Sequence, residues 1–263
     1  MASYKKTNLT KVIVTISFFI MIIVNLLSNV LPINGITTGQ VSDDYKNLFA
    51  PAGITFSIWG VIYLLLLGYT IYQFFLFKNN ETNINEKLYN KIGLFFTLSS
   101  ITNALWIFCW HYKLIPLTVI LMLIILISLI IIVMEIKKVE LRTKEKIFIK
   151  IPFSVYFGWI TVATIANITV FLVSIGWNGF GIPEHIWAVA IIFIGLIIGI
   201  ITTLKNKDIA YGLVIIWAYI GILIKHISVN GFNKEYPSVI NTVIICILFL
   251  LITQMYVLII NRK

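Results

Sequence analysis

Ser99, Asn103, Trp106 and Trp110 follow one another at steps of four, three and four, which on a helix stacks them along one stripe. Trp159, Ala163 and Asn167 repeat the device at steps of four, and Trp59 and Tyr63 lie one turn apart. These residue types offer binding chemistry. Indole and phenol rings present flat apolar faces, whereas a carboxamide carries donors and an acceptor that cannot be left facing lipid. Ala163 leaves room between a ring and an amide. Periodicity alone favours packing, with Asn joining helices and Trp filling gaps; the alternative is a ligand cavity lined by the same residues. A stripe shows which way residues face and not what they face.

The elements that must position these residues are eight long apolar stretches, at about residues 10–31, 51–77, 92–111, 114–134, 151–174, 186–204, 209–227 and 239–260. Each is roughly 20 residues or more, enough to cross a hydrocarbon layer about 30 Å thick as a helix. A chain that is 60% hydrophobic and 11% charged cannot be wrapped around one soluble core. The fold class predicted is therefore an all-α integral membrane protein of about eight transmembrane helices. The first run follows Lys5, Lys6 and Lys11 as a secretory signal would, but it is long and no small-x-small site follows, so it is kept as a helix.

Basic residues fall almost wholly on alternate gaps. With both termini cytoplasmic, the inner side holds Lys5, Lys6, Lys78, the cluster from Lys137 to Lys150, Arg262 and Lys263 among others, and only Lys46, Lys113, Lys225 and Lys234 remain outside. This asymmetry orients a multi-pass protein in the cell membrane and places the whole net charge of +10 on the inner side. It leaves no call for a nucleic-acid partner; the partner expected is the lipid bilayer. In the basic cluster Glu135, Glu140 and Glu145 interleave with the bases, so the loop is first a topology determinant and only second a surface for anionic headgroups.

No Asp or Glu lies within the middle of any span, which argues against a proton-driven carrier. Cys109 and Cys246 stand singly with no metal or redox spacing. His111, His185 and His226 all fall at outer helix ends, level with Trp110, Trp177 and Trp187. Converging histidines would suit a metal or haem iron, but no His-x-x-x-His pair or carboxylate cluster accompanies them, and interfacial aromatics are the plainer account. No metal and no cofactor is expected. Nor is an enzyme, since no nucleophile and base pair, metal motif or phosphate loop is visible.

Pro51, Trp59 and Tyr63 in the second span, Asn103, Trp106 and Trp110 in the third, and Trp159 and Asn167 in the fifth resemble the TspO family, the tryptophan-rich sensory proteins related to the mitochondrial translocator protein. The motifs occur in the family's order with similar intervening lengths. The resemblance covers about residues 10 to 178, read as a TspO-like five-helix domain over 1–178, with a three-helix extension over 179–263. It implies a cavity among the helices, roofed by the first loop, for porphyrins and similar flat apolar molecules, and a tendency to form a homodimer. Gly53 stands where the family has Trp, and the pattern for sterol recognition is missing at the end of the fifth span. The resemblance therefore does not extend to sterols.

The expected function is that of a membrane receptor or sensor for a small hydrophobic ligand such as a tetrapyrrole, with Trp59, Tyr63, Asn103, Trp106, Trp110, Trp159, Ala163 and Asn167 as its binding residues. A transporter of a small hydrophobic or amphipathic solute and a non-catalytic accessory subunit are the alternatives. In the extension, Gly195 and Gly199 form a small-xxx-small face that predicts close contact with a neighbouring helix, and Trp217 reads as packing.

Overall fold

The computed structural model describes residues 2–31, 33–77 and 82–262, with side chains over 7–31, 33–77 and 82–261. Of the bases used for topology, Lys78 and Lys263 lie outside the described residues, as do the side chains of Lys5, Lys6 and Arg262. The helices are α1 (Ala2–Val30), α2 (Thr38–Asp44), α3 (Ile58–Tyr72), α4 (Glu86–His111), α5 (Ile115–Ile136), α6 (Thr143–Glu145), α7 (Ile151–Ser174), α8 (Glu184–Asn206), α9 (Ile209–Ile227) and α10 (Pro237–Arg262). Among the described residues there is no strand, and eight helical segments are long and apolar enough to cross a bilayer. The all-α fold with eight spans is as expected, and the protein is a multi-pass membrane protein in contact with lipid.

Three span ends differ from those read by hydropathy, each for a local reason. α4 begins at Glu86 and not at 92, because Asn85 caps it: its Oδ1 accepts from the Leu88 N–H at 2.8 Å, and a polar first turn follows. The fifth span is helical from Thr143, since a π-turn over Lys146–Lys150 carries the chain into α7 just before Pro152, whose missing N–H and ring would disrupt a regular helix. The second span, read from residue 51, begins after Pro51; a 3-10 turn over Gly53–Ser57 starts the helix. Ala52 stays extended because its N–H donates to the Gly221 carbonyl at 2.9 Å.

The chain divides into two compact units. The first comprises Met1–Val41 and Trp59–Ile160. α4 is its centre and packs on both α1 and α5. The α1–α4 contact combines a small residue with amides, as expected for helices that associate inside lipid. A Cβ on Gly93 would fall 2.4 Å from Thr10 Cγ2, so only glycine permits that approach. Alongside it Thr10 Oγ1 donates to Asn90 Oδ1 at 2.7 Å, and the Gln73 amide joins Thr15 Oγ1 (3.0 Å) and the Tyr89 hydroxyl (2.5 Å). Glu145, read from sequence as one of the acids interleaved with the basic cluster, is buried: its carboxylate accepts from Thr82 Oγ1 (2.6 Å), Asn83 N–H (3.0 Å) and Arg142 N–H (2.8 Å). Glu135 pairs with Lys91 at 3.0 Å and with Lys138. Two of the three acids interleaved with the basic cluster therefore tie secondary structure together.

The second unit comprises Ser42–Ile58 and Thr161–Lys263. α10 lies against α8 and α9. The Gly195 and Gly199 face of α8 makes the close contact expected of it: Tyr219 of α9 reaches the bare Gly195 backbone and donates to the Ile192 carbonyl at 2.6 Å, while Ile215 and Leu250 close on Gly199. α9 also holds the segment 42–58. Ala52 N–H meets Gly221 O at 2.9 Å, Trp217 Nε1 donates to Thr55 O at 3.0 Å, His226 Nε2 donates to Leu48 O at 2.9 Å, and Lys225 lies 3.5 Å from Asp43. Trp217, expected as packing, thus also carries a directed bond.

Candidate ligand site

Trp59, Tyr63 and Trp159 come together in the first unit. Trp59 stacks on Tyr63 with centroids 5.5 Å apart, as their spacing of one turn requires, and meets Trp159 edge-on at 6.1 Å. A fourth ring, Tyr156, also packs edge-on against Trp59 at 6.1 Å. Sequence reasoning passed over Tyr156, although it lies three residues before Trp159 and so on nearly the same helix face. Trp59 and Tyr63 are half-buried, whereas Tyr156 and Trp159 are buried. This arrangement offers aromatic faces at the edge of a buried group, which is how a flat apolar molecule is held by stacking.

Asn103 is buried, and its Oδ1 accepts from Asn25 Nδ2 at 2.7 Å; the same amide donates to the Met21 carbonyl at 2.9 Å. Asn25 was also passed over, although the argument that brings Asn103 off the lipid face applies to any amide in an apolar run. The oxygen of the Asn103 amide is thus committed to α1. The Tyr156 hydroxyl lies beside that amide but has no partner in hydrogen-bonding geometry, so a buried polar atom remains open within the aromatic cluster.

Trp106 and Trp110 form a second stack, with centroids 5.0 Å apart and nearly parallel planes. Both are buried, and Trp110 Nε1 donates to the Thr38 carbonyl at 3.0 Å, fixing the start of α2 to the end of α4. Ala163 and Asn167 belong to the part of α7 in the second unit; Ala163 is half-buried and Asn167 buried.

The histidines are engaged individually. His111 Nδ1 donates to the Ile107 carbonyl at 2.8 Å, with Thr38 Oγ1 3.4 Å from Nε2. His226 donates through Nε2 to Leu48 and lies against Phe232 at 4.7 Å, leaving Nδ1 without a partner. His185 is half-buried in the first turn of α8. Among the described residues no group of three His, Cys, Asp or Glu could hold a metal ion.

The family model described as TSPO-like protein matches residues 11–256, which takes in all or most of every span and runs through the three C-terminal helices. No curated protein and no solved structure matches the chain.

Proposed function

Because the chain belongs to the TSPO-like protein family, we propose that it is a membrane receptor binding a flat apolar ligand of the tetrapyrrole class at Trp59, Tyr63, Tyr156 and Trp159. The observation that carries this reading is the open Tyr156 hydroxyl amid rings of which two are half-buried. A macrocycle would stack on Trp59 and Tyr63, and a carboxylate on its edge would accept a hydrogen bond from the Tyr156 hydroxyl, relieving a group that costs free energy while unpaired. Asn103 supports the site by holding α1 to α4 through Asn25. The reading needs neither Ala163 nor Asn167, assigns binding and not a reaction, and keeps both termini on the cytoplasmic side of the cell membrane, as the basic residues imply.

The experiment is a titration of purified protein with protoporphyrin and haem, followed by the Soret band. Wild type should saturate, and Trp59→Ala with Tyr63→Ala should weaken binding roughly tenfold or more as two stacking surfaces are lost. Absence of saturable binding would overturn the reading.

Transport gains support from the second unit. Thr203 Oγ1 and both amide atoms of Gln254 are buried without hydrogen-bond partners, and both side chains press on Gly212, whose Cβ would fall 2.9 Å from the first and 1.6 Å from Gln254 Nε2. Open polar atoms within spans are a feature of solute pathways. Uptake against a gradient by sealed vesicles, lost in Gln254→Leu, would favour transport over sensing.

A further inference from the structure

The second unit contains a cavity of about 420 Å³ between the segment 46–49, the end of α7 and the start of α8. Its walls are apolar and aromatic, including Phe49, Leu172, Trp177 and Trp187, and its lining carries two opposite charges, Lys46 and Glu184. Both are exposed, and neither forms an ion pair among the described residues. None of the residues expected to bind the tetrapyrrole contributes to it.

The loop between α7 and α8 is built to present this cavity. Gly176, Gly179, Phe180 and Gly181 all take positive φ. A Cβ on Gly179 would meet Trp187 Nε1 at 2.8 Å, and that indole N–H donates to the Gly179 carbonyl at 2.9 Å. Trp187 is thereby fixed, with its N–H spent, and contributes apolar and π surface to whatever binds; Trp177 packs on it with centroids 4.9 Å apart. On the other side, His226 and the Asn47 side chain hold Leu48 and Phe49 in place. Around the cavity the loop exposes Ile175, Ile182 and Phe180, the last at 80% exposure. At the junction of two spanning helices such residues lie where hydrocarbon meets headgroups.

We infer that this cavity holds the headgroup of a zwitterionic phospholipid, with its phosphate at Lys46, its ammonium between Glu184 and the Trp177–Trp187 pair, and its acyl chains leaving over the exposed apolar loop. Such a headgroup is complementary to the cavity in charge and in surface. An unpaired cation and an unpaired carboxylate on one cavity match a ligand that carries both signs. Two indoles are the preferred surface for a substituted ammonium, through the attraction of a cation to a π face. An anionic lipid would find Lys46 but would be opposed by Glu184. A tail-free headgroup would lose the apolar contacts, and a neutral apolar molecule would leave both charges unused. The site is distinct in residues from the tetrapyrrole cluster, so the two assignments stand or fall separately.

The test uses the full chain in neutral detergent, with tryptophan emission and native mass spectrometry following titration by dihexanoyl phosphatidylcholine, the phosphatidylglycerol of the same chains, and glycerophosphocholine. Phosphatidylcholine should bind saturably and more tightly than phosphatidylglycerol. Lys46→Gln and Glu184→Gln should each weaken it about tenfold, as expected for loss of one charge-assisted contact, and Glu184→Gln should abolish the preference over phosphatidylglycerol. Both side chains are exposed, so the variants should keep the wild-type melting temperature and any tetrapyrrole binding. Equal affinity for the two lipids in wild type, or affinity indifferent to both substitutions, would overturn the inference. So would saturation by glycerophosphocholine at the affinity of the lipid, which would make the occupant a free solute.

Discussion

Asn25 Nδ2 donates to Asn103 Oδ1 across 2.7 Å, joining α1 to α4 through two amides that are 7% and 2% exposed. The bond joins two helices, the role that periodicity alone favours for an Asn in such a stripe. Asn103 must face something polar, and it faces another amide in the protein.

Asn25→Leu and Asn103→Leu should therefore each destabilise the protein by about 1–2 kcal/mol, since each leaves the other amide partly unpaired in an apolar setting. The double substitution should cost less than the sum of the two, because it removes both polar groups at once. Reversible unfolding in mixed micelles, arranged as a double-mutant cycle, measures this; strict additivity would deny the coupling.

Gly221 allows Thr55 to sit against α9. A Cβ there would fall 2.0 Å from Thr55 Oγ1 and 2.7 Å from its Cγ2, so Gly221→Ala should destabilise by about 1–3 kcal/mol through overpacking. Thr55→Ala removes the two closest atoms and should recover part of that loss in the double variant. A thermal melt of the three proteins in one detergent decides it, and a Gly221→Ala protein as stable as wild type would show the contact to be slack.

His226 should matter to the segment before the second span more than to its own helix. With His226→Ala the Leu48 carbonyl loses its donor, and amide exchange over residues 46–55 should speed up by roughly tenfold, the equivalent of one buried hydrogen bond. Exchange measured by mass spectrometry should be unchanged within α10. Equal protection of 46–55 in both proteins would mean that Trp217 and Gly221 hold the segment without it.

The eight spans were legible in the sequence because length and hydropathy depend on local composition alone. The Trp59–Tyr63 stack was legible for the same reason, since one helical turn fixes it. Contacts that need two helices were not. Tyr156 and Asn25 carry no local mark that separates them from other polar residues in apolar runs, and their roles follow only once α3 meets α7 and α1 meets α4. The hold of α9 on residues 42–58 was least accessible, since His226 and Leu48 are 178 residues apart. The three C-terminal helices therefore read only as an extension, whereas α9 positions the segment that leads into the second span. Glu145 was legible only as an acid interleaved with the bases, and the fold reveals the backbone N–H groups that its buried carboxylate accepts from.

The most direct test of the proposed ligand site is a paired titration of wild type and Tyr156→Phe with protoporphyrin and with its dimethyl ester. Stacking on Trp59 and Tyr63 should bind both compounds, and the Tyr156 hydroxyl should distinguish them by donating to a carboxylate. The expected result is saturable binding of both by wild type, with Tyr156→Phe weakening the free acid about tenfold while leaving the ester nearly unchanged. Binding of neither compound, or of both with indifference to Tyr156→Phe, would contradict the assignment of the open hydroxyl and its rings as the tetrapyrrole site.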